Sequence, residues 1–214
     1  MRLPGPLFDA VRLHMSWHGD WHYARLNPAA VGRDGQAIIE RARVRFPDAI
    51  CMVDEGSGEQ FLTFHRHMLR HYKWIVQNTP VPGYVFDMWD ELPPWVTARL
   101  GAEYMAGFEA ALAGLLAGPS LDELGAFLES TPRAARRRFH GVHELCHVAI
   151  VDIEAEQYPS DERRRDASMG DMKLAHYNEH FWSLHHWIDS LYSAWQIGHG
   201  IVPNVSPLRP DHGH

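Results

Sequence analysis

Apolar residues recur along most of this chain at the spacing of an α-helix, and this period limits the possible fold more than any other feature. The alternation typical of a half-buried β-strand never persists for more than a few residues. The sequence therefore predicts an all-α fold. A length of 214 residues suits one domain of ordinary size, which we place over residues 1–214 with its core at about 13–196.

Five segments with helical periodicity can be placed along the chain: Leu7–Tyr23, Gly35–Phe46, a helix beginning near Glu59, Trp95–Gly118, and Glu179–Gln196. Between them, Thr79–Pro94 is rich in proline and aromatic residues, which predicts a loop.

Two further helices follow from start signals. Ser120 is placed to cap a short helix that runs through Glu129. Thr131 followed by Pro132 is a typical helix start, and it predicts a helix that carries the segment RFHGVHELCHVAI. The tail, 203–214, is rich in proline and is expected to be irregular.

Composition excludes several classes of protein. The net charge of −7 gives no electrostatic reason to expect a nucleic-acid partner. No stretch approaches the roughly 20 apolar residues of a membrane span, and the first ten residues contain no apolar run of the secretory type, so we expect a cytoplasmic protein. Cys51 and Cys146 are too few for a disulfide framework and are expected to be free thiols.

Histidine is the anomalous residue, with 16 copies spread along the chain. Two histidines four residues apart share one helix face and can offer two imidazoles to one metal ion. Chance alone would give about one such pair in a chain of this composition. The sequence has five: His14/His18, His18/His22, His67/His71, His143/His147 and His176/His180.

The segments around several of the histidines resemble the copper-binding motifs of a known protein family. The segment FWSLHHWIDSLYSAWQ resembles the second copper motif of tyrosinases, and FLTFHRHML resembles their first-copper helix. Bacterial tyrosinases place a further copper histidine where this chain has Gly56. The segment WHGDWH followed by EQFLTFHRHML instead resembles the arthropod haemocyanins and phenoloxidases, in which an HxxxH pair and a distant histidine bind the first copper.

This resemblance implies an antiparallel four-helix bundle core that holds a dinuclear copper site, with extra short helices and loops. It implies two copper ions, with His18, His22 and His65 on the first and His143, His147 and His185 on the second. Three neutral imidazoles suit copper, and two such sites facing each other leave open positions for dioxygen. The implied activity is oxidation of a phenol, catechol or aminophenol by O2, and a copper-delivery chaperone is a possible partner.

Three neighbours of these histidines carry further expectations. Glu144 stands where tyrosinases have an asparagine that helps to hold a water. Its carboxylate can take a proton from the substrate, attract a cationic substrate, or simply face solvent. Phe181, one turn before His185, is expected to pack over the copper pair. Asp189, one turn after His185, is expected either to orient that histidine or to pair with Arg66.

Three other interpretations stay open. The segment HELCH matches HExxH, the zinc-protease motif, with Glu154 or Glu156 as the third ligand. A protein with the same copper ligands can also carry oxygen reversibly without oxidising a substrate. Finally, a second-layer role is open for His14, and ordinary polar roles are expected for eight other histidines: His67, His71, His140, His176, His180, His199, His212 and His214.

Overall fold

The computed structural model of the chain describes residues 1–129, 131, 134 and 138–210, with the side chains of 162–164 left out. These residues form nine α-helices: α1 (Gly5–Met15), α2 (His18–Arg25), α3 (Arg33–Arg45), α4 (Ser57–Asn78), α5 (Pro94–Leu100), α6 (Ala102–Ala117), α7 (Leu121–Glu129), α8 (Val142–Gln157) and α9 (Glu179–Gly198). No β-strand occurs among them, which confirms the predicted all-α class.

The predicted helix Leu7–Tyr23 is wrong as a single element, because the chain turns at Ser16 and Trp17 between α1 and α2. The indole Nε1 of Trp17 donates to the carbonyl oxygen of His14 at 2.8 Å. In a continuous helix that carbonyl would accept from the amide of His18 instead. The turn gives α2, which carries His18 and His22, a start of its own.

The predicted helix Trp95–Gly118 is also divided, at Gly101. This residue has a φ of 88° and a ψ of 147°, a backbone conformation that glycine adopts and other residues avoid. Apolar residues continue on both sides of Gly101, so the sequence pattern alone could not locate the break.

The segment before α8 contains the third difference. We predicted a helix start at Thr131–Pro132, and Pro132 lies outside the described residues. The helix that carries His143 begins only at Val142, after Phe139 and Gly141 with φ values of 64° and 80°. Residues with such φ values cannot continue a right-handed helix.

Other predicted features are confirmed. The hydroxyl of Ser120 accepts from the amide of Glu123 at 3.2 Å, ahead of α7. The loop predicted at Thr79–Pro94 contains no helix until α5 begins at its last residue. Residues 201–210 are irregular, as expected of the tail, and 211–214 lie outside the described part. Cys51 and Cys146 are both free thiols.

Helix packing centres on the long α4, which contacts α1, α7 and α9, while α8 contacts α5, α7 and α9. The crossing of α4 and α7 is unusually close. A Cβ on Gly58 would lie 2.1 Å from the carbonyl oxygen of Asp122, and one on Gly125 would lie 1.9 Å from that of Gly58. The two backbones therefore touch where α4 begins, and this contact fixes the position of the helix that carries His65.

Two buried ion pairs join the helices around this centre. Arg25 of α2 donates through both terminal nitrogens to the carboxylate of Glu129 in α7, and both side chains are almost fully buried. Arg66 of α4 donates to Asp189 of α9 through Nε at 2.5 Å. No helix in the described part of the chain has the length and apolar character needed to cross a membrane.

Candidate metal centre

Six histidines from four helices converge in the interior. His18 and His22 come from α2, His65 from α4, His143 and His147 from α8, and His185 from α9. The ring centres of His65 and His185 are 4.5 Å apart, and His65 lies 5.8 Å from His18. These are the six residues that the sequence resemblance named.

Two groups of three ligand nitrogens occur among the described residues, each group within 4.8 Å. The first is His18, His22 and His65, which is the predicted first-copper set. The second is His65, His143 and His185, so it contains two of the three predicted second-copper ligands and shares His65 with the first. His147 belongs to neither group, although its ring centre lies 4.6 Å from that of His143.

Hydrogen bonds to backbone carbonyls fix the orientation of four of the six rings. The Nδ1 atoms lie within hydrogen-bonding distance of carbonyl oxygens: His18 to Met172 (3.1 Å), His65 to Phe61 (2.8 Å), His147 to Met169 (2.7 Å) and His185 to Phe181 (2.6 Å). Because a carbonyl oxygen only accepts, each Nδ1 carries the proton. Each Nε2 is then left with its lone pair, the arrangement that metal-binding histidines use.

Two of these Nε2 atoms have no hydrogen-bond partner in the part of the chain that the structure describes. The Nε2 atoms of His65 and His147 are both buried and unpaired. A buried nitrogen without a partner costs free energy, so it calls for an explanation such as an ion. Bound copper or zinc would satisfy both atoms, and this supports the fit of the residues to a metal.

Distances between the remaining nitrogens also suit shared coordination. The Nε2 atoms of His18 and His22 are 3.0 Å apart, and those of His143 and His185 are 3.2 Å apart. Two nitrogens bound about 2.0–2.1 Å from one ion at a tetrahedral angle would be about 3.3 Å apart. Each pair can therefore close on a single ion with little movement.

Burial keeps these imidazoles neutral. Desolvation lowers the pKa of His185 to about 3, assisted by repulsion from His147, and lowers the pKa of His147 to about 4. Desolvation is also the largest cause of the low pKa values of His18, His22, His65 and His143. Metal ions bind the neutral form of imidazole, so these rings do not have to lose a proton before they bind a metal near pH 7.

The pKa shifts predict how the metal-free protein responds to acid. Its unfolded chain binds protons at an ordinary histidine pKa of 6.5, whereas folded His147 and His185 stay neutral down to about 4 and 3. The stability they give is complete above pH 6.5 and is lost as the pH falls from there toward the folded pKa. We expect the free energy of unfolding to fall by about 1.4 kcal/mol per histidine per pH unit in this window.

Denaturant titrations of the metal-free protein at pH 7, 6 and 5 measure this loss. Most aspartates and glutamates titrate below that range, so histidine dominates the change. A free energy of unfolding that stays constant from pH 7 to pH 5 would contradict the neutral, buried state of these rings.

A cavity of about 310 Å³ opens onto the histidines. Its wall is mostly apolar, with Leu26, Met52, Val148, Met169, Met172 and Phe181 beside His18, His22, His143 and His147. Two carboxylates also line it. Glu144 is exposed and makes no ion pair with any described residue, whereas Glu129 is buried in its pair with Arg25.

Phe181 lies between the two sides of the centre. Its ring centre is 3.9 Å from that of His185, 5.0 Å from His18 and 6.0 Å from His147, and its side chain is fully buried. Phe181 therefore packs against histidines from both predicted copper sets.

A short segment, Met169–Met172, holds one histidine from each predicted set through its backbone. The carbonyl of Met169 accepts from His147, and that of Met172 accepts from His18. It lies directly against α2, where a Cβ on Gly19 would be 3.2 Å from the Met172 oxygen. Sequence reasoning missed these contacts, because a backbone acceptor in an irregular segment leaves no pattern.

Asp189 pairs with Arg66 rather than with a histidine. Its carboxylate and backbone carbonyl both accept from the guanidinium, which also donates to Ser193 at 2.7 Å and to Gln196. Arg66 follows His65, and Asp189 lies one turn after His185. The pair thus holds α4 and α9 in register beside their inward histidines.

Sequence reasoning also missed Glu129 and His176. Glu129 is the last residue of α7 and lines the cavity, which no spacing indicated. His176 is fully buried, its ring centre lies 5.3 Å from that of His18, and neither ring nitrogen has a hydrogen-bond partner among the described residues. The HxxxH spacing of His176 and His180 was a signal, but it could not show which ring faces inward.

The carboxylates that the zinc-protease interpretation needs are engaged elsewhere. Glu154 pairs with the amino group of Met1 and accepts from Asn178, and Glu156 pairs with Arg99 at 2.5 Å. Glu154 is also seven residues after His147 on α8, about 10 Å along the helix axis. His143 instead groups with His65 and His185.

Comparison of the chain with protein-family models, with curated proteins and with solved structures finds no match.

Proposed function

We propose that this protein is a dicopper oxidase or monooxygenase that uses O2 to oxidise a phenol, a catechol or an aminophenol. The observation that carries the proposal is the meeting of six neutral imidazoles from four helices in the protein interior. In this proposal α2, α4, α8 and α9 form an antiparallel four-helix bundle, with His18, His22 and His65 on one copper and His143, His147 and His185 on the other.

The donor set suits copper, and the resemblance of the sequence to copper motifs favours copper among the metals that bind imidazole. Imidazole alone, without carboxylate, suits copper in both of its oxidation states. Two copper ions held in this way would supply the binding and reduction of dioxygen, the chemistry that the protein itself lacks. The bonds from Nδ1 to backbone carbonyls hold the rings so that their Nε2 atoms face inward before a metal arrives.

The chain's own residues shape access for a substrate. The cavity of about 310 Å³ has room for one aromatic ring, and its apolar wall favours such a ring over water. It reaches His143 and His147 on one side and His18 and His22 on the other. A protein that only carries oxygen has no need of such a cavity, which favours an enzyme over a carrier.

Oxygen consumption by the copper-loaded protein tests this choice. We expect turnover with at least one of catechol, 2-aminophenol and tyramine, measured with an oxygen electrode beside metal-free protein. Reversible oxygen uptake without turnover of any of the three would contradict an oxidase and indicate a carrier.

Glu144 is proposed to select for substrates with a positive charge. It is the exposed carboxylate at the cavity, whereas Glu129 is neutralised by Arg25. We expect Glu144→Gln to lower kcat/KM for tyramine, a cation, by roughly fivefold, the size of a partly exposed charge interaction. The value for uncharged catechol should change less than twofold.

Glu156→Gln is the matched control, because Glu156 is an exposed carboxylate on the same helix that pairs with Arg99. It should leave both substrates unaffected. Equal losses for tyramine and catechol in Glu144→Gln would contradict charge selection and would indicate that the carboxylate takes a proton instead.

A further inference from the structure

A second histidine pair lies on the opposite side of α4 from the inner site. His67 follows His65 by two residues, which places it about 200° around the helix. The Nε2 atoms of His67 and His71 are 2.7 Å apart, and their ring centres are 4.2 Å apart at 68°. The sequence assigned both residues ordinary polar roles.

This geometry matches that of the two inner pairs. His18 and His22 have ring centres 4.6 Å apart at 79°, and His143 and His147 have ring centres 4.6 Å apart at 69°. All three pairs are spaced four residues apart on a helix. The backbone therefore brings His67 and His71 together in the same way as it does the inner ligands.

His67, the outer member of the pair, lines a cavity of its own, of about 380 Å³, together with Asp48 and Gln60, while His71 lies buried behind it. The rings of Trp21 and Phe64, stacked 3.6 Å apart, also line this cavity and separate it from the inner histidines. Asp48 and Gln60 are polar residues of the cavity wall, although the Oε1 atom of Gln60 accepts from the amide of Ile50. Arg45, which also lines the cavity, pairs with Asp20.

We propose that His67 and His71 form a second metal site, which binds one borderline divalent ion such as Ni²⁺, Zn²⁺ or Cu²⁺. Two imidazoles at this separation can chelate one ion, and water from the cavity can complete its coordination. Because His71 is buried and His67 is half-buried, the ion would sit at the wall of the cavity and exchange with solvent. The site does not depend on copper in the inner centre.

Equilibrium dialysis of the folded protein against Ni²⁺ tests the site, with and without copper in the inner centre. We expect one Ni²⁺ per chain that is retained in His185→Ala and bound at least tenfold more weakly in His67→Ala and in His71→Ala. His199→Ala removes an exposed lone histidine and should change nothing. His67→Gln, which preserves a polar partner for His71, guards against a variant that fails to fold.

The possible outcomes separate this inference from the proposed function. The outer site would be overturned if Ni²⁺ binding were unchanged in both His67→Ala and His67→Gln. It would also be overturned if His185→Ala alone removed all Ni²⁺ binding. Binding lost in His67→Gln but kept in His185→Ala would support it, whatever the inner histidines bind.

Discussion

Replacing His65 with alanine should abolish metal-dependent oxygen consumption, a loss of more than about 100-fold. Among the described residues, His65 is the one histidine that belongs to both groups of ligand nitrogens, and its buried Nε2 has no hydrogen-bond partner there. Loss of a residue that merely orients a ligand already costs 10–100-fold in metal affinity or activity, and removal of the ligand itself should cost more. We also expect the copper content to fall by at least one ion per chain.

His67→Ala is the matched control on the same helix, two residues away and on the other face. It should leave oxygen consumption and the inner copper intact. If His67→Ala abolished oxygen consumption and His65→Ala did not, the inward face of α4 would have been assigned to the wrong histidine.

Replacing Gly125 with alanine should destabilise the protein by about 3 kcal/mol or more. The new Cβ would lie 1.9 Å from the backbone oxygen and 2.3 Å from the backbone carbon of Gly58. Backbone atoms cannot move aside as a flexible side chain can, so α7 would have to shift away from α4. A protein of this size should then melt roughly 10 °C lower, which calorimetry of the metal-free protein would measure.

Gly114→Ala is its control, a glycine exposed on α6 whose added Cβ would have no described heavy atom within 4 Å beyond its chain neighbours and the backbone of its own helix. Alanine favours helix over glycine by about 1 kcal/mol, so this variant should be as stable as the parent or slightly more so. A melting temperature for Gly125→Ala equal to that of the parent would contradict the close crossing of α4 and α7.

Local spacing and the resemblance to copper motifs together account for what the sequence could predict of the centre. HxxxH places two rings on one helix face whatever the helix packs against, but the chain has five such pairs, and the choice of His18/His22 and His143/His147 followed from the resemblance. The inward direction of His65 followed from the resemblance of its helix to a copper motif. That His65 belongs to both groups of ligand nitrogens depends on how closely α4 and α9 approach each other. The spacing of residues within one helix cannot reveal this distance.

Contacts between distant segments account for what could not be predicted. The turn at Trp17 depends on its indole, which donates to a backbone carbonyl that a continuous helix would pair with an amide. The break at Gly101 could not be located because several glycines have similar surroundings in the sequence. The carbonyls of Met169 and Met172 accept hydrogen bonds from His147 and His18 because of where the backbone lies, and this position leaves no pattern in the sequence. Glu129 reaches the cavity because Arg25, more than 100 residues earlier, is buried against it.

Metal analysis of the purified protein, combined with its absorption spectrum with and without oxygen, tests the central claim most directly. We predict two copper ions per chain in the inner centre and an absorption band that appears with oxygen and disappears when oxygen is removed. One zinc ion per chain and no spectral response to oxygen would contradict a dicopper centre and would favour the HExxH interpretation of His143 and His147.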